Sequence, residues 1–104
     1  MRAEVVHVKD YGQKSKSLED NGLYVYCGRP SKFGNPFEMK DESQREFVID
    51  RFEQQAFPYD EVGRLISYCA QNSIETLKLG CYCSPKRCHC DAIKAFIDKG
   101  VAKP

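Results

Sequence analysis

Between Asp60 and Gly100 the spacing of apolar residues changes period twice, and this change restricts the possible folds more than any other feature of the chain. Val62, Leu65, Ile66, Cys69 and Ala70 fall at i, i+3, i+4, i+7 and i+8, the template of a helix with one apolar face. From Thr76 to Cys83, Leu77, Leu79, Cys81 and Cys83 alternate with Thr76, Lys78, Gly80 and Tyr82, as in a strand with one buried face. Ser84-Pro85 then reads as a helix cap with proline in the first turn, opening a helix that runs through Ile93, Phe96 and Ile97 to Gly100. A helix, a strand and a helix in succession point away from both a helical bundle and a barrel.

The first half extends the pattern. Residues 4–9 (EVVHVK) and 23–26 (LYVY) are β-branched or aromatic runs, so two early strands are expected, with the polar stretch 12–22 between them. Ser43-Gln44-Arg45-Glu46 has the spacing of a capping box. It predicts a helix to about Ala56, with Val48, Phe52 and Ala56 on one face and Pro58 as the stop. Asp60 is placed to cap the next helix. The order strand, strand, helix, helix, strand, helix predicts an α/β fold: a small single-domain sandwich spanning 1–104, with about three strands covered by about three helices.

Composition narrows the function. Sixteen Lys and Arg face fifteen Asp and Glu, a balance too even for a purely electrostatic grip on nucleic acid or an anionic membrane. The charge is nevertheless segregated, with nets of +2 over residues 1–40, −5 over 41–75 and +4 over 76–104. Basic ends around an acidic middle would place an anion site where the ends meet, although a solvated helix face accounts for the acidic third equally well. No apolar stretch reaches the roughly 18 residues of a membrane helix, and Glu4 stands where a secretory signal would begin its apolar region, so a cytoplasmic protein without membrane partners is expected.

Six cysteines in 104 residues fall below the density of a secreted disulfide scaffold, and Cys81, Cys83, Cys88 and Cys90 crowd into ten positions while Cys27 and Cys69 stand alone. In the segment CYCSPKRCHCD, two C-x-C pairs and His89 supply more soft ligands than a tetrahedral zinc ion needs. A C-x-C pair in a true strand holds its Cα atoms some 6 to 7 Å apart, so chelation requires the strand to break near Cys83. A second reading makes Cys88 a nucleophile, its thiolate favoured by the first turn of the last helix and assisted by His89 or Asp91. A third makes the cysteines small buried residues beside an ordinary helix start.

The other candidate segment, GRPSKFGNPF at 28–37, follows the second strand. Gly28 and Gly34 let backbone amides approach a ligand, and Arg29, Ser31, Lys32 and Asn35 offer donors suited to phosphate. The bland alternative is a rigid turn in which Phe33 and Phe37 fill the core and Arg29 pairs with an acid of the middle third. His7 in the first strand reads as structural; Cys27 at the end of the second is a core residue or a thiol near the site, with core preferred, and Tyr24 and Tyr26 could stack on a base, with a half-buried sheet face the preferred reading.

GRPSKFGNPF followed about forty residues later by LGCYCSPKRCHCD resembles the domain-of-unknown-function family numbered 4326, met in bacteria and phages. Val5-Val6-His7-Val8, residues 28–37, Arg45-Glu46 and residues 79–91 correspond to its successive motifs. Tyr82 replaces the usual tryptophan, and Cys90 replaces the usual glycine, which makes Cys90 the cysteine of the four least expected in a shared site. The resemblance carries no activity. Residues and resemblance together lead to one expectation: the 28–37 loop and the 81–91 segment meet around a pocket for a phosphate-bearing ligand, a nucleotide or a nucleic-acid end. Cys81, Cys83, Cys88 and His89 would hold zinc there, or Cys88, His89 and Asp91 would form a reactive centre on a nucleoside or nucleotide. The remaining expectation is a non-enzymatic accessory protein in which the cluster only supports the fold.

Overall fold

The computed structural model describes residues 1–29, 31–83 and 86–102. Strands β1 (Arg2–His7), β2 (Lys16–Leu18), β3 (Gly22–Tyr26) and β4 (Thr76–Cys81) form one sheet in the order β1-β4-β3-β2. The helices are α1 (Val8–Tyr11), α2 (Arg45–Arg51), α3 (Tyr59–Gln71) and α4 (His89–Ala102). The fold is the expected α/β domain, with one strand and one short helix more than the sequence suggested.

β4 lies between β1 and β3 and runs parallel to both, so the last strand among the described residues is an interior one. Parallel neighbours need long crossovers, and α2 and α3 provide the one from β3 to β4. Both faces of β4 are covered, which is why Gly80, on the nominally polar side of the alternation, is as buried as Leu79. The face toward the helices carries Leu23, Val25, Leu77, Leu79 and Cys81, packed with Phe52, Val62, Leu65, Cys69, Ile93 and Ile97. Burying each large aliphatic side chain here contributes roughly 1.5–3 kcal/mol. The other face is a thinner layer of Val8, Tyr24 and Tyr26, with Tyr11 stacked on Tyr24 at 5.0 Å between centroids.

Gly80 and Gly28 belong to that thin layer. A Cβ at Gly80 would overlap the Tyr24 hydroxyl, and one at Gly28 would overlap the Tyr26 hydroxyl. Each tyrosine crosses its glycine to reach a carbonyl: Tyr24 donates to Gly12 O at 2.6 Å and Tyr26 to Arg29 O at 2.8 Å. The two tyrosines are thus structural, as expected.

Several local expectations need correction. Residues 8 and 9 leave the first strand and start α1, because the His7 Nδ1 accepts from the Lys9 amide and caps the turn. β2 arises inside the stretch read as polar connection. Asp20 and Asn21 both adopt left-handed φ (57° and 59°), and the Gly22 amide closes the turn on Glu19 O, the geometry that joins two twisted antiparallel strands. The side-chain cap is Asp41 rather than Ser43: it accepts from the Ser43 amide at the start of a 3-10 turn (Glu42–Gln44) that leads into α2. α2 continues through a π-helical turn (Phe52–Ala56) to the expected end, and Pro58 rather than Asp60 precedes α3. Val62, Leu65 and Cys69 form its buried stripe, while Ala70 is exposed.

α4 begins at His89, later than the Ser84-Pro85 signal implied; those two residues lie outside the described ones. Cys88 occupies the cap position. Its amide donates to the Asp91 carboxylate at 2.8 Å, and the Asp91 amide donates to Cys88 O at 3.0 Å. Among the described residues, no helix is long and apolar enough to cross a membrane.

Candidate functional site

The carboxyl ends of β3 and β4 and the start of α4 open on one cavity of about 360 Å³. Open α/β sheets bind ligands at this end of their strands. One wall is Cys81, Tyr82, Cys83, Cys88 and His89; a second is Tyr26, Gly28, Arg29, Asn35, Phe37 and Met39; Arg45, Val48 and Ile49 of α2 complete it. The two segments singled out in the sequence therefore share a cavity, with Arg29 and Cys88 both on its surface.

Within the 28–37 loop the structure separates cavity groups from bracing groups. Arg29 donates through Nε to Asn35 O (2.8 Å) and through a terminal nitrogen to Glu38 (2.9 Å), so two of its five hydrogens hold the guanidinium against the loop. Its acidic partner comes from the first third of the chain rather than the middle. Asn35 is buried and spent on structure: its amide nitrogen donates to Val48 O and its oxygen accepts from the Phe37 amide. Ser31 accepts from the Phe33 amide, and exposed Lys32 faces Glu61 of α3 at 3.7 Å. Gly34 packs where a Cβ would sit 3.1 Å from Gly28 O, closing the loop on itself. Ser31, Lys32 and Gly34 do not line the cavity, so of the expected anion donors Arg29 is the one with a charged head there.

Sequence reasoning did not assign Arg45 to the site, although the Arg45-Glu46 pair was among the motifs quoted. Its guanidinium side chain is only 15% exposed, chelates Glu42 through two nitrogens at 2.8 and 2.7 Å, and donates to Arg87 O at 2.9 Å. The bonds to Glu42, and next the neighbouring Cys83 thiol, hold the guanidinium charged. Lys86 reaches Glu42 at 3.2 Å, and Arg87 pairs with Glu46 and, at 3.3 Å, with Glu53. The acidic middle of the chain thus neutralises the basic segment before α4 and fastens it to α2. Tyr26 and Tyr82 bring hydroxyls to the cavity; burial, and next the bond to Tyr82, push Tyr26 up to about 12, so it stays a neutral donor.

The cysteines regroup. Cys81, Cys88 and Cys90 hold their sulfurs within 4.8 Å of one another, all three buried, and this group could hold a metal ion. β4 ends at Cys81, so the break needed for chelation is present, but the group differs from the expected set. Cys90, the cysteine least expected, is a member; Cys83 stands apart, on the cavity wall with Arg45; and His89 is otherwise engaged. The His89 Nε2 sits 2.7 Å from Cys27 O, with the Phe33 carbonyl near the ring, so His89 clasps α4 to the end of β3 beside the 28–37 loop. Burial holds its pKa below the usual imidazole value, against the pull of those carbonyls.

Nor does the environment of Cys88 favour a lone thiolate. Its side chain is buried, its sulfur lies 3.1 Å from that of Cys81, and this bond above all pushes the thiol up to about 12. Asp91, expected beside it as a reactive group, is occupied as the helix cap.

A small α/β domain with a partly apolar cavity at its strand ends, one wall of buried thiols and one edge of guanidiniums, is the class these features define. The chain belongs to the family described as Domain of unknown function (DUF4326), which matches residues 11–99 and so leaves the Val5-Val6-His7-Val8 motif outside the match. No curated protein and no solved structure matches it.

Proposed function

We propose that the cavity binds a phosphate-bearing ligand, a nucleotide or a nucleic-acid end, and that the thiol wall holds zinc. One observation carries the reading: Arg29 and Arg45, from different elements, line the same cavity as the apolar groups Phe37, Met39, Val48 and Ile49. Guanidiniums match phosphate oxygens two at a time, while the apolar side chains offer a surface for a base. The volume lies at the small end of ligand pockets, about 300–1,000 Å³, which suits a single nucleotide or a terminal one rather than a duplex.

The test is calorimetric titration of the purified chain with a panel of mononucleotides, inorganic phosphate and short 5′-phosphorylated oligonucleotides. A panel member should bind, and Arg29→Ala and Arg45→Ala should each weaken it about tenfold or more, the scale of one lost charge-assisted bond. Unchanged affinity in both variants, or no binding across the panel, would refute the reading.

A further inference from the structure

Cys27 was read from the sequence as an isolated core residue. Its place in the sheet says otherwise. β3 and β4 pair in parallel with Tyr26 opposite Gly80, and the Cys27 amide continues the ladder by donating to Gly80 O at 2.9 Å. The next step of that register sets Cys27 beside Cys81, on adjacent strands whose spacing is about 4.8 Å. Both side chains belong to the core face on which α4 lies. From the helix side come Cys88 and Cys90, both buried, and Cys27, Cys81 and Cys88 are the neighbours that push the Cys90 thiol up.

We infer that Cys27, Cys81, Cys88 and Cys90 form a closed tetrathiolate site for zinc, two ligands from the strand ends and two from the start of α4. This extends the metal reading above by naming the fourth ligand and making the site structural. All four side chains are buried, with residue exposures of 0 to 2%. A tetrahedral zinc with bonds of about 2.3 Å needs its sulfurs roughly 3.8 Å apart, and the Cys81, Cys88 and Cys90 sulfurs already lie within 4.8 Å of one another. Soft sulfur-only ligation selects zinc or iron among common ions, and a fully occupied shell leaves no open position for substrate. On binding, the four thiol protons leave and the ion takes their place, giving a cluster of net charge −2 beside the cavity whose wall carries Arg29 and Arg45. The His89 Nε2 lies 3.8 Å from the Cys90 sulfur, but its bond to Cys27 O makes it a neighbour that fixes the strand end rather than a ligand.

The full chain, purified without added metal, should hold about one zinc per chain. In the cobalt-substituted protein, Cys27→Ser should lower the sulfur-to-cobalt charge-transfer band by about a quarter, one thiolate in four, whereas Cys83→Ser and His89→Gln leave it unchanged. Should Cys27→Ser fail to fold, alkylation of the wild type read by mass spectrometry replaces it: zinc should protect Cys27 along with Cys81, Cys88 and Cys90, and a chelator should expose them. Metal bound with Cys27 unprotected, or with the cobalt band dependent on His89 or Cys83 instead, overturns the four-sulfur site but leaves a metal site standing. Absence of bound metal and of zinc protection in the wild type overturns both.

Discussion

The two sides of the cavity are built from opposite materials. Cys81 and Cys88 on one side are buried and bonded to each other. Arg29 on the other is half-exposed, charged, and held by a carbonyl and by Glu38. A buried wall whose members are one another's partners belongs to the core, and changing it disturbs folding. An exposed ion pair contributes little to stability, typically below about 1 kcal/mol, so the same positions are free to serve a ligand. The difference teaches where fold ends and function begins within one pocket.

The largest test places the same charge on each side. Cys88→Asp replaces a buried thiol that packs against Cys81 with a carboxylate and should cost more than about 4 kcal/mol, or abolish folding, in chemical denaturation. Arg29→Asp should cost about 1 kcal/mol or less while removing ligand binding. Comparable losses of stability would break the distinction. A smaller effect is expected where the charged side is fastened to α2. Arg87→Ala removes the pairs to Glu46 and Glu53 and should change stability by less than about 1 kcal/mol, yet hydrogen exchange at residues 86–88 should speed up measurably. Unaltered exchange there would mean the network does not hold the segment.

The smallest effect is in pH. The hydrogen bonds from Arg45 and then Lys86 pull the Glu42 carboxyl from 4.5 down to about 2. A depressed carboxylate stabilises the fold above its unfolded pKa and loses that contribution as pH falls, here between about pH 4.5 and 2. NMR titration of the Glu42 carboxyl should show the low midpoint in the wild type and a return toward 4.5 in Arg45→Ala.

What could be read from the sequence was what repeats locally. The stripe of Val62, Leu65 and Cys69 and the alternation of Leu77, Leu79 and Cys81 appear in the structure because each element must bury one face. β2 escaped notice because it is an edge strand of three residues with exposed Lys16 and Ser17, lacking an apolar run. Its trace was Asp20-Asn21, residues that tolerate left-handed backbone. The sulfur grouping was hidden for a different reason. Cys27 comes beside Cys81 only through the pairing of β3 with β4, some fifty residues later, and spacing along the chain carries no record of register. Cys90 was set aside on a family pattern, yet its position two residues after the helix cap turns it into the core beside Cys88. Arg45 was visible as a motif, but the fold had to be known before its guanidinium could be placed at a cavity.

The crossing of Tyr24 over Gly80 links two distant positions in any history of substitution. A side chain at 80 could arise only after the ring at 24 had gone, and with that ring would go the anchor on the Gly12 carbonyl. Positions 24 and 80 therefore drift together or not at all.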